Sequence, residues 1–148
     1  RWPLEALKFA DQYLKERDVP LLIYQDRLNL LDREPQENGV TQYCADHGIG
    51  FISFSPLAQG LLTDRYLNGI PADSRMAKEQ YLKHSALTPE LLEQLKTWNA
   101  EAAERGETLA EMALAWILQQ KGVTSVLVGA SSVTQLEKNM KCVHAAKL

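Results

Sequence analysis

Apolar and polar positions along the chain switch between two periods, and each switch marks an element. In residues 3–17, Leu4, Leu7, Asp11 and Leu14 fall on one helical face, three of them apolar, and Pro3 suits the first turn. Asp18-Val19-Pro20 ends that helix. Leu21-Leu22-Ile23-Tyr24 is a short apolar run that predicts a strand buried on both faces. A polar stretch spans 32–38, residues 40–47 read as a helix, and Gly48 stops it. Residues 49–54 predict a second buried strand. Ser55-Pro56-Leu57-Ala58-Gln59-Gly60 reads as a turn, and 61–86 is a long segment of weak periodicity with the turn signals Asn68-Gly69 and Ile70-Pro71. A loop of that length in a compact domain is usually functional or mobile.

Thr88-Pro89 opens the next helix, with Leu91, Leu95, Trp98 and Ala102 as its apolar stripe and Gly106 after its end. Thr108 and Glu111 stand in capping-box spacing for a further helix, on which Leu109, Met112, Ala113, Trp116, Ile117 and Gln120 share a face. Trp98 and Trp116 are expected in the core. A β-branched strand at 123–128 ends at Gly129, and a last helix runs from 132 to about 143. Apolar strands alternating with amphipathic helices predict an α/β fold with a parallel sheet. Three parallel strands leave open edges, so the 148 residues are expected to be one partial domain of something larger. The start at Arg1, without Met or a signal pattern, is expected to reflect processing, cleavage or incompleteness.

Composition changes this picture little. Apolar content of 45% and charged content of 24% are those of an ordinary globular protein. A net charge of −3 with interspersed basic residues excludes a nucleic-acid footprint, and no apolar run has membrane-spanning length. Cys44 and Cys142 form neither a disulfide framework nor a zinc pattern; buried free thiols in a reducing cytoplasm are expected. His47, His84 and His144 are far apart in sequence, and no metal site is expected.

The chemistry gathers at turns. Strand, glycine turn and a hydroxyl-rich helix start with Ser132 and Gln135 in capping-box spacing bring backbone N–H groups, two serine hydroxyls and the positive end of a helix dipole together at 129–135. That is either a phosphate cradle or a well-capped turn. In an eight-stranded (β/α) barrel, phosphates favour the loops after the last two strands, which here are 54–60 and 129–132. Phe54, at a strand end, is either core or a platform for a flat ring. Arg65 and Arg75 either meet phosphate oxygens or a purine face, or are solvated arginines. Gln25 offers an acceptor and two donors, enough to grip a carboxamide.

Together, Phe54-Ser55-Pro56-Leu57-Ala58-Gln59-Gly60-Leu61-Leu62-Thr63-Asp64-Arg65-Tyr66, then Asn68-Gly69-Ile70-Pro71, then Gly129-Ala130-Ser131-Ser132 with Gln135-Leu136 and Asn139, resemble the aldo-keto reductase family over essentially the whole chain. Within it they are similar to the branch of bacterial glyceraldehyde-3-phosphate reductases and potassium-channel β subunits. The resemblance implies the C-terminal part of a (β/α)8 TIM barrel, strands six to eight with flanking helices, and hydride transfer from NADPH to an aldehyde or ketone. It implies that Gln25 holds the nicotinamide carboxamide and that Phe54 stacks on the nicotinamide. Ser55, Pro56, Leu57 and Gly60 would line the pyrophosphate path, with Arg65 on a phosphate. Arg75 would lie at the adenine, and Gly129, Ser131, Gln135 and Asn139 would form the pocket for adenosine and its 2′-phosphate.

The chain departs from the pattern in two ways. The family's catalytic Asp, Tyr, Lys and His belong to earlier strands, and none of Tyr13, Tyr24, Tyr43, Tyr66 and Tyr81 matches the catalytic tyrosine, so no catalytic residue is assigned here and no turnover is expected from this chain alone. After Gln25 the branch reads Pro-Ser-Tyr-Asn, whereas this chain reads Asp26-Arg27-Leu28-Asn29, which puts packing near the cofactor in question. The expected partners are a small carbonyl substrate and either the upstream half of the barrel or a second copy. The alternative is a truncated, inactive nucleotide-binding or self-associating barrel fragment.

Overall fold

The computed structural model describes every residue except Pro71 and 73–83. Its elements follow the order α1 (Leu4–Lys15), β1 (Ile23–Arg27), α2 (Glu34–Glu37), α3 (Val40–Asp46), β2 (Gly50–Phe54), α4 (Pro89–Glu104), α5 (Leu109–Leu118), β3 (Val123–Val126) and α6 (Val133–Met140). The three strands form one parallel sheet in the order β1-β2-β3. By contact the chain divides into two compact units. The first is Arg1–Pro56 with Trp116–Gly129 and Lys147–Leu148; the second is Leu57–Ala115 with Ala130–Ala146.

In the first unit one face of the sheet carries the core. Tyr24 and Phe51, paired in register, are buried with Leu7 of α1, Val40 and Cys44 of α3, Leu28, Ile49 and Ile117, and Trp116, Val123 and Val126 pack against them. The helix α1 earns its place by the predicted stripe: Leu7 and Asp11 are its buried residues. Asp11 is neutralised there by Tyr43 Oη at 2.7 Å and Lys15 Nζ at 3.0 Å. Burial opposes its ionisation, but these two hydrogen bonds outweigh burial and hold its pKa below the ordinary value. Burial first, and then the bond to Asp11, pushes the Tyr43 phenol up to about 12.

The second unit has its own small core. Leu61 and Tyr66 are buried, with Ala58, Ala86, Leu87 and Leu91 packed on them. Thr88 caps α4 by accepting from the N–H of Leu91 at 3.1 Å, and Thr108 and Glu111 cap α5 reciprocally at 3.1 and 3.3 Å, as their spacing predicts.

Three expectations need correction. The first strand is Ile23–Arg27 and alternates exposed and buried positions, instead of running 21–24 with both faces covered. The apolar run straddles the approach to the strand, so only Ile23 and Tyr24 lie inside it. The polar residues that follow continue it because Asp26, fully buried, finds partners. The polar stretch 32–38 holds a short helix, α2, with Pro35 in its first turn. β3 stops at Val126, and Leu127 and Val128 are exposed beyond it. Trp98 and Trp116 are half-buried. Both thiols are free and buried, and burial pushes Cys44 up to about 11. Among the described residues no helix is long and apolar enough to cross a membrane, and no cluster of ligands could hold a metal.

Candidate functional site

The C-terminal ends of β1 and β2 are tied together by buried hydrogen bonds. Ser53 Oγ donates to the carbonyl of Leu28 at 2.7 Å. Asn29 Nδ2 donates to the carbonyl of Ser55 at 2.9 Å, while Asn29 Oδ1 accepts from the N–H groups of Leu31 and Asp32, both at 2.9 Å. The loop after one strand therefore holds the loop after the next. Leu28, the residue that replaces an aromatic, is fully buried in the core.

Below this rim Asp26 is the buried acceptor for three donors: Arg1 Nε at 2.9 Å, Tyr24 Oη at 3.1 Å and the N–H of Arg27 at 2.7 Å. Arg1 also reaches Asp32 at 3.1 Å, the carbonyl of Arg27 at 2.9 Å, and Glu34. Burial opposes the Arg1 charge, but these partners raise its pKa above its already high ordinary value. A buried carboxylate so paired is stable only while the set is complete. Sequence reasoning missed this clamp, because Asp26 lies beyond the strand predicted at 21–24 and its partner Arg1 is 25 residues away.

Gln25 is the third of five residues in β1, not its end, and is exposed on the face opposite the core. Phe54 is the last residue of β2, half-buried on that same face, in register with Arg27. The guanidinium of Arg27 lies over the Phe54 ring, 5.5 Å from its centroid, within cation–π range.

The turn that follows is strained. Ser55, Ala58 and Gln59 have φ of 49°, 50° and 62°, and Gly60 has 95°. Left-handed backbone at three non-glycine residues is costly and clusters at ligand loops. Gly60 is favoured by its backbone, whose φ of 95° side chains rarely adopt; the space beside it would admit a Cβ, with Tyr66 at 3.6 Å. The carbonyl of Leu57 accepts from Gly60 and Leu62, both at 3.0 Å, and Thr63 Oγ1 donates to the carbonyl of Gly60 at 2.6 Å. Arg65 is exposed in the 3₁₀ turn Asp64–Tyr66. Arg75 lies outside the described residues.

At the other turn, Gly129 and Ser131 are exposed. Ser132 caps α6 by accepting from the N–H of Gln135 at 3.1 Å. The return bond differs from a capping box: Gln135 Oε1 accepts from the N–H of Ser131 at 2.7 Å and from its hydroxyl at 3.0 Å, one residue earlier than the spacing predicts. By helix geometry the first-turn N–H groups of Val133 and Thr134 have no intrahelical acceptor and are available to an anion. Asn139, four residues after Gln135, is buried, and among the described residues its Nδ2 has no hydrogen-bond partner.

In the first unit, then, Gln25, Phe54, Ser55, Pro56 and Gly129 belong to the sheet and its loops. Leu57, Gly60, Arg65, Ser131, Gln135 and Asn139 belong to the second unit. A parallel sheet with candidate polar and aromatic groups at the carboxyl ends of its strands is the architecture of an α/β protein.

The chain belongs to the aldo/keto reductase family, whose sequence profile matches residues 2–148. It is 46% identical over 138 residues to the L-glyceraldehyde 3-phosphate reductase of Escherichia coli K12, an alignment covering 90% of this chain and 40% of that protein. It is 37% identical over 130 residues to a probable voltage-gated potassium channel subunit beta of Arabidopsis thaliana, covering 86% and 40% respectively. A thermostable aldo-keto reductase crystallised with the inhibitor epalrestat superimposes with a TM-score of 0.66 at 21% identity, over all of this chain and 42% of that one. The chain thus spans about 40% of the length of the curated relatives it matches.

Proposed function

We propose that this chain is the cofactor-binding, C-terminal part of a (β/α)8 barrel in an NADPH-dependent oxidoreductase that reduces aldehydes or ketones to alcohols in the cytoplasm. Membership of the family supports the reaction class. The observation that carries the cofactor reading is Asn139, a buried amide whose donor has no acceptor among the described residues and which stands one helical turn from Gln135. A buried donor left unmade costs about 1–3 kcal/mol, which a ligand acceptor would recover.

NADPH, when bound, supplies the hydride. Around it, Gln25 offers donors and an acceptor to the carboxamide, and Phe54 offers a ring face to the nicotinamide. Ser55, Pro56, Leu57 and Gly60 give a fixed backbone path for the pyrophosphate, and Arg65 gives a cation. Gly129, Ser131, Gln135 and Asn139, with the start of α6, take the adenosine and its 2′-phosphate. Arg75 is assigned to the adenine by resemblance only. No residue here is assigned the proton that the carbonyl oxygen needs, so the 148 residues act as one partial domain and give no turnover alone.

A second reading, a self-associating inactive fragment, draws support from the exposed Ile23, Gln25 and Arg27 on one sheet face. Titration of the purified protein at its natural length with NADPH, followed by aldehyde-dependent loss of the dihydronicotinamide absorbance, separates the two. Saturable binding weakened about tenfold by Asn139→Leu supports the first reading. Absence of binding, with dimers in solution, supports the second.

A further inference from the structure

Arg27 stands in register with Phe54 at the carboxyl end of β1. Its backbone is fixed at both ends, the N–H on Asp26 and the carbonyl on Arg1, so the clamp sets where its side chain begins. Its strand position puts it on the face of Gln25 and Phe54, away from the core face of Tyr24 and Asp26. The carboxylates nearby, Asp26, Asp32 and Glu34, all converge on Arg1. Among the described residues Arg27 has no ion-pair partner, and its charge stands over the Phe54 ring at 5.5 Å.

We infer that Arg27 makes the site prefer the reduced cofactor over the oxidised one. The inference rests on the reading of Phe54 as the nicotinamide platform. The oxidised nicotinamide ring carries a positive charge and the reduced ring is neutral. A guanidinium over one face of the Phe54 ring repels an oxidised nicotinamide stacked on the other face and is indifferent to the reduced one. At a solvated strand end the repulsion amounts to about fivefold in affinity. The site then holds NADPH and releases NADP+, which favours carbonyl reduction over alcohol oxidation.

The test is a pair of fluorescence titrations, NADPH and NADP+, on the natural-length protein and on Arg27→Met and Arg27→Lys, with melting temperature as a check on folding. Arg27 is exposed, so both variants should fold. The ratio of the NADP+ to the NADPH dissociation constant should fall about fivefold in Arg27→Met and hold in Arg27→Lys, and added salt should shrink the wild-type ratio. An unchanged ratio in Arg27→Met overturns the inference, as does an equal loss of both affinities. A Met variant that keeps the ratio and loses turnover only on phosphate- or carboxylate-bearing aldehydes overturns it in favour of a substrate-anion role. Wild-type protein that binds neither nucleotide removes the site reading itself, a result distinct from an unchanged ratio.

Discussion

The two regions that carry the candidate residues are built by opposite means. The loops after β1 and β2 are held by long-range hydrogen bonds, wholly or partly buried: Asn29 to Ser55, Ser53 to Leu28, and Asp26 to Arg1. The turn before α6 is held by bonds within five residues, Ser131 to Gln135 and Gln135 to Ser132, all exposed. The first end is shaped by the fold and cannot change without it. The second is shaped by its own sequence and can be altered almost freely. A flat ring that must be positioned for hydride transfer suits the first kind of construction; an anion that needs donors and a dipole suits the second.

Substitutions should separate the two. Asn29→Ala removes the donor to the Ser55 carbonyl and the acceptor of the Leu31 N–H, while the Asp32 N–H keeps the Asn29 carbonyl, and denaturant unfolding should show a loss of about 1–3 kcal/mol. A loss below about 0.5 kcal/mol would mean that Asn29 does not hold the rim. Ser132→Ala removes one exposed cap and should cost about 1 kcal/mol or less, with most of the change in exchange protection confined to α6. Equal global losses from the two variants would erase the contrast.

A smaller effect comes from pH and belongs to the back of the first unit. Because the folded pKa of Asp11 is lowered, its contribution is present above the ordinary carboxylate pKa and is lost as pH falls through the folded value. Stability measured on descending pH should therefore decline below the ordinary carboxylate range, and Asp11→Asn should flatten that part of the profile. An identical slope in the variant would assign the decline to other carboxylates.

Sequence reasoning reached the two ends unequally for the same reason. Local construction is legible: the Thr88, Thr108 and Ser132 caps stand where the sequence predicts, and the strand predicted over 49–54 exceeds the observed Gly50–Phe54 by a single residue. Long-range construction is not. The extent of β1 was misjudged because Asp26 reads as a strand breaker until Arg1 and Tyr24 are beside it. Arg27 drew no attention because its place over Phe54 follows from the parallel register, which no local pattern encodes. Asn139 was found by resemblance, and its unpartnered amide only by structure.

We propose that the sheet loops serve the nicotinamide and the α6 turn the phosphorylated adenosine of a dinucleotide. Binding of 2′,5′-ADP and of NADPH, measured by calorimetry on the natural-length protein, Phe54→Ala and Asn139→Leu, tests it most directly. The account predicts that Asn139→Leu weakens both ligands, whereas Phe54→Ala weakens NADPH and leaves 2′,5′-ADP unchanged. Equal losses of 2′,5′-ADP in both variants, or no binding of it by the wild type, would contradict the account.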